Sequence, residues 1–216
     1  MTRIRTFLWA TGVLTLMSGV FVANAHLPGR MTGGGSVKPS IDSATFDNLD
    51  RITHGFEIHC GGDTGSGNTG SDNNNLEINW GAAGDKHKFK LDKHLSWAHC
   101  DYVPELGPPN PPAAGFNWFH GRGAGLVDNT KAAGSIDFIF TDSGEPGGDN
   151  GPDPDDTALY CISSGPNADL FTPASCDVLF VATTVTYQFD NGITPNLITY
   201  PGGLPLRRGN HQAHAQ

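Results

Sequence analysis

The residues whose types and spacing could do chemistry are concentrated between positions 142 and 156. Asp142, Glu145, Asp149, Asp153, Asp155 and Asp156 share a Gly- and Pro-rich stretch with no basic residue among them. Hard carboxylate oxygens on a permissive backbone are what Ca²⁺ takes, which makes these six the candidate metal ligands. Their spacing is not that of an EF-hand, and the competing reading is a solvated acidic loop. Ca²⁺ is the one cofactor these residue types point to.

Aromatic rings supply the second candidate site. Trp97 and Trp118 are the candidate ligand-contact residues, since a ring exposed on a β face is a common platform for a sugar. Trp80 shares the parity of Leu76 and Ile78 and belongs in the core. The histidines are poorly placed for a shared metal: His54 and His59, like His94 and His99, are five apart, on opposite faces of a strand. They read as surface and hydrogen-bonding groups, with His54 satisfied inside the core. A hydrolase would draw on Glu57, Glu77, Glu105 or Asp137, yet each is expected as the wet-face partner of its strand. No Gly-x-Ser-x-Gly elbow, His-Glu-x-x-His or phosphate loop occurs. The function expected is therefore non-catalytic: adhesion, anchoring or ligand contact. The alternative is a secreted carbohydrate-active enzyme or hydrolase.

The elements that must position these groups are strands. In Ile52 to Cys60, the residues Ile52, Phe56, Ile58 and Cys60 share one parity while Thr53, Glu57 and His59 share the other, the period of a half-buried strand. Leu76, Ile78 and Trp80 repeat the pattern, antiparallel to the first, and Phe89 and Leu91 give a third strand within 86–95. Phe116, Trp118 and His120 alternate ahead of Gly121 to Gly125, a run suited to a tight turn or bulge. Ile136, Phe138 and Phe140 mark a later strand, and 178–189 another, closed by an Asn191-Gly192 hairpin turn. The fold class expected is all-β: a two-sheet, mainly antiparallel β-sandwich with long polar loops and two disulfides.

Arg3 and Arg5, an apolar run from Phe7 to Val22 and Ala23-Asn24-Ala25 make residues 1–25 a secretory signal. The formal charge is −9, and losing the two arginines of that leader takes it to −11, which argues against nucleic-acid partners. A glycan or a cell-surface protein is the partner class that remains, and no apolar run beyond the leader is long enough to span a membrane. Residues 26–50 read as a Gly-rich arm and edge strand, 51–208 as the sandwich and 209–216 as a mobile polar tail. In an oxidising compartment Cys60, Cys100, Cys161 and Cys176 read as disulfides, with sequence nearness favouring Cys60 with Cys100 and Cys161 with Cys176.

Several short motifs taken together resemble a known family. Met31-Thr32-Gly33-Gly34-Gly35, Thr53 to Cys60, Asn74 to Gly81, Phe138 to Gly147 and Gly209 to His214 are similar to the post-COAP-1 type domain, a secreted bacterial module. The resemblance covers nearly all of the chain after the leader. It implies a β-rich extracellular module of uncharacterised activity and carries over no catalytic residues. The chain departs from the pattern between Gly148 and Leu206, where the stretch holding Cys161 and Cys176 is longer.

Overall fold

Residues that alternate apolar and polar side chains pair edge to edge, and here the first eight strands each pair with a neighbour in sequence. A computed structural model describes residues 29–37, 52–60, 73–82, 84–106, 115–128, 132–144, 156–180, 184–190, 195–201, 204–206 and 208–215. The strands are β1 (Gly29–Val37), β2 (Ile52–Cys60), β3 (Asn75–Ala82), β4 (Asp85–Asp101), β5 (Trp118–Val127), β6 (Ala132–Thr141) and β7 (Thr157–Ser163), then β8 (Val178–Phe180), β9 (Thr184–Asp190), β10 (Pro195–Pro201), β11 (Leu204–Pro205) and β12 (Arg208–Ala215). Strands β1 to β7 form an antiparallel meander, β12 returns beside β1, and the short β8 and β11 both pair with β7.

The eight strands from β12 through β1 to β7 curl into a half-barrel. Two facing sheets were expected; the described strands instead divide into one sheet of ten and a separate β9–β10 ladder. The physical reason is the meander, which extends one sheet strand by strand and gives the chain no crossover with which to start an equal second one. In the β9–β10 hairpin Asp190 lies opposite Pro195, wider than the two-residue turn read at Asn191-Gly192, and 191–194 lie outside the described residues. No helix among the described residues is long and apolar enough to cross a membrane.

The concave face holds the main core: Phe56, Phe89, Phe119, Phe138, Phe140 and Tyr160 are buried together, with Phe56 stacked on Phe140 at 4.2 Å between centroids. Gly121, Gly123 and Gly125 all point there from the middle of β5, so the run expected as a turn is strand interior. Their missing side chains make the room: a Cβ would lie 2.5 Å from the Phe138 ring at Gly121, 2.5 Å from Leu91 at Gly123 and 2.4 Å from the Phe89 ring at Gly125. Large rings from β4 and β6 fill what the glycines vacate.

Both disulfides pair as nearness suggested, Cys60 with Cys100 from β2 to β4 and Cys161 with Cys176 from β7 to the segment after it.

The expected mobile tail is a strand. β12 pairs with β1 over Gly29↔Ala215 to Ser36↔Arg208, so β1 is internal and not the edge strand expected. The other side of β12 is closed by side chains: Asp156 Oδ2 accepts the His211 backbone N–H at 2.7 Å and Asp142 Oδ2 accepts that of Ala213 at 2.7 Å. Two carboxylates thus substitute for ladder carbonyls along the seam between β12 and the ends of β6 and β7, meeting the need of buried N–H groups for acceptors.

Candidate functional site

Two polar networks are buried in the described residues, one on each face of the sheet. On the concave face Tyr160 Oη hydrogen-bonds His54 Nδ1, His54 Nε2 lies 2.8 Å from His211 Nε2, and His211 Nδ1 lies 2.9 Å from the Thr141 carbonyl. The carbonyl can only accept, which settles the rest: His211 carries its proton on Nδ1, His54 donates from Nε2, and the Tyr160 hydroxyl donates to His54 Nδ1. Burial, then the neighbouring His211, holds His54 well below the ordinary histidine range. Burial brings His211 down to about 4, against the Thr141 carbonyl, and pushes the Tyr160 phenol up. The expectation that His54 is satisfied in the core is correct, but its neutral partners make this cluster a packing element and not a site.

The second network is built by register on the convex face. Trp97 of β4 lies opposite Arg122 of β5, Arg122 opposite Asp137 of β6, and Asp137 opposite Cys161 of β7. Trp97 joins this row because β4 shifts register twice, between Leu91 and Leu95 and again before Trp97. These irregularities reverse the parity of Phe89 and Leu91, so Ala98 and Cys100 point inward and Trp97 and His99 outward. The third strand expected within 86–95 therefore runs on to Asp101.

Asp137 was expected to be wet, yet it has no exposed surface. Val103, Leu106, Trp118, Ile139, Leu159, Ala168 and Leu170 form a smaller core that covers the convex side of β5 to β7, with Cys161–Cys176 tying its cover down. Beneath it Asp137 Oδ1 accepts from His120 Nε2 at 2.5 Å, and Oδ2 accepts from Arg122 Nε at 3.1 Å and from the Leu170 backbone N–H at 2.9 Å. Burial outweighs this bond to Asp137 and, with Arg122 and His99, keeps the His120 imidazole below its ordinary range. We therefore assign a neutral imidazole donating to a carboxylate whose counter-charge is Arg122.

Arg122 leads out to solvent. It is 39 % exposed, its Nη2 lies 3.2 Å from Asp169 Oδ1, and its Cζ sits 5.9 Å from the Trp97 ring centre. Beside it runs an open groove of about 960 Å³, floored by Gly123, Ala124, Ala133 and Gly134 and walled by Asn167 and Asp169. The wall is pinned: Ser135 Oγ donates to the Gly165 carbonyl at 2.7 Å and accepts the Ala168 N–H at 2.8 Å. Trp97, half-buried, adjoins the groove through Arg122, and Phe171 is 48 % exposed; their ring centres lie 4.6 and 6.2 Å from that of His120.

Of the two tryptophans expected to contact ligand, Trp97 is half-buried beside Arg122. Trp118 is 1 % exposed and belongs to the convex core, because its parity on β5 puts it under the cover that the sequence did not announce. Glu57 and Glu77 do lie on the wet face, in ion pairs with Arg30 and Lys88. Of the six acidic residues expected as Ca²⁺ ligands, Asp142 and Asp156 are buried and each accepts two backbone N–H bonds, from Gly144 and Ala213 and from Ser143 and His211. Glu145, Asp149, Asp153 and Asp155 lie outside the described residues. No group of three or more His, Cys, Asp or Glu converges as a metal site among the described residues.

Sequence reading missed Arg122, Asp169 and Phe171. The available signal was a lone arginine inside a Gly-x-Gly-x-Gly run, where period two puts its charged side chain on the face opposite the three glycines. Comparison of the chain with protein-family models, curated proteins and solved structures finds no match.

Proposed function

We propose that this is a secreted, non-catalytic β-rich module of the post-COAP-1 type, used for adhesion, anchoring or ligand contact, and that the convex groove is its contact face. The observation that carries the reading is the state of the groove's charged groups: Arg122 engages both Asp137 and Asp169. A glycoside hydrolase of the usual kind needs one carboxyl kept protonated and another free to act on water or substrate. Here Asp137 is sealed under the convex core and Asp169 also accepts from the Phe171 N–H at 3.0 Å and the Thr172 hydroxyl at 2.9 Å. A groove whose charged groups are all engaged with one another suits holding a ligand more than transforming it. Two disulfides and the leader at residues 1–25 support an extracellular setting.

The test incubates the oxidised, secreted form of the chain with insoluble polysaccharides and with immobilised extracellular proteins. Retention on one of them without release of soluble product is expected. Turnover of any of these materials would move the assignment to the hydrolase class.

A further inference from the structure

Resting on that reading, the geometry points to a neutral oligosaccharide as the ligand, with one sugar ring stacked on Trp97 and its hydroxyls meeting Arg122, Asp169 and Asn167. Trp80 and Trp118 are buried at 7 % and 1 %, so Trp97 alone of the three described tryptophans keeps more than a trace of exposed surface, beside the Arg122 side chain. A pyranose presents axial C–H bonds on one face and hydroxyls around its edge. It therefore matches an amphipathic ring set beside a fork of donors and acceptors.

The charge at the groove selects among polar ligands. Arg122 Nη2 is 3.1 Å from Asp137 and 3.2 Å from Asp169, so one cation faces two carboxylates and the local sum is negative. An anionic ligand, whether a uronate, a phosphate or an acidic peptide, would meet two carboxylates for one cation and be repelled. Hydroxyl groups need displace nothing: they can accept from the outward N–H groups of Arg122 and donate to the carboxylate of Asp169. The exposed Asn167, on the same wall as Asp169, offers both functions through its side-chain amide.

The site is also pre-formed, which lowers the ordering cost of binding. Trp97 is wedged edge-on against His120 at 4.6 Å and stacked with His99 at 5.9 Å, and the facing wall hangs from Ser135 and the Cys161–Cys176 bond. The floor of small residues leaves the depth a ring requires.

The experiment titrates the oxidised protein with neutral oligosaccharides, with uronic-acid oligosaccharides and with acidic peptides, following tryptophan emission and heat. A neutral sugar should bind with a shift in emission. Trp97→Ala should weaken it about tenfold or more, Trp97→Phe should retain most of the affinity, and Asn167→Ala should weaken it several-fold. Leu126→Ala, at an exposed position on the strand of Arg122 but outside the groove, should change nothing, and wild-type amide protection in β5 and β6 certifies that each variant is folded. Binding of neutral sugars that Trp97→Ala leaves intact, or preference for the anionic ligands, would overturn the assignment while leaving the contact-module reading in place. Absence of any neutral-sugar binding in a protein that is still retained on an immobilised protein would do the same.

Discussion

His54 and His120 are both almost wholly buried, yet the two faces of the sheet satisfy them by opposite electrostatics. On the concave face His54 sits in a chain of neutral groups, Tyr160 to His54 to His211 to the Thr141 carbonyl, beside the stacked rings of Phe56 and Phe140. On the convex face His120 donates to a full charge, Asp137, which is balanced by an arginine that reaches water. A neutral chain suits a closed aromatic core because no ion is desolvated, but it tolerates one protonation state only. An ion pair suits a thin core beside a groove because Arg122 keeps part of its hydration, and it leaves a polar fork at the surface. The concave network therefore locks the fold and the convex one presents a site.

That contrast can be broken most sharply at Asp137. Asp137→Ala strips the acceptor from the buried His120 and Leu170 N–H groups and leaves Arg122 with Asp169 alone; a loss of about 3–5 kcal/mol is expected. Urea unfolding measures it, and hydrogen exchange should show the 164–177 cover loosened before the concave core. Uniform loss of protection would mean that the two cores are one cooperative unit.

Removing Cys161 and Cys176 together as serines comes next. The bond closes a loop of 15 residues, worth about 3 kcal/mol in the chain-entropy account. The loss should fall on the convex cover and on groove binding, with the ring stacking around Phe140 unchanged in near-ultraviolet circular dichroism. The same change at Cys60 and Cys100, which lie inside the aromatic core, should disturb that signal instead.

The gentlest test is pH. His54 and His211 are held below the ordinary value of 6.5, His211 at about 4. As pH falls below 6.5 the unfolded chain takes up protons that the folded one refuses, so stability is complete above 6.5 and declines beneath it. The slope is about 1.4 kcal/mol per pH unit for each such histidine. Protonating His211 at Nε2 would set two N–H groups face to face across 2.8 Å, so β12 amides should lose protection first. His120 shares the sign, its pKa also being lowered by burial. Replacing Tyr160 and His54 together by phenylalanine should remove one histidine's share of the slope, and an unchanged slope would show that the concave chain is not what senses acid.

Much of the sheet was legible before any fold was in view. The bounds of β2, its pairing with β3, the inward Ile136, Phe138 and Phe140 and both disulfides follow from period two and from nearness along the chain. Less legible was anything that depends on what covers a face. Asp137 reads as wet because its strand alternates, and only the cover held by Cys161–Cys176 seals it. Residues 209–216 read as a loose tail because Asn210, His211, Gln212 and His214 are polar, and only the arrival of β1 and of two distant carboxylates makes a strand of them.

By itself the sequence determined the all-β class and the parities of β2, β3 and β6, because side-chain alternation is a local property of extended backbone. Tertiary structure decided which polar residues meet. His54 and His211 are 157 positions apart, and the row from Trp97 through Arg122 to Asp137 exists only after two register shifts in β4. Curvature, register and cover are set by long-range closure, and no local pattern records them.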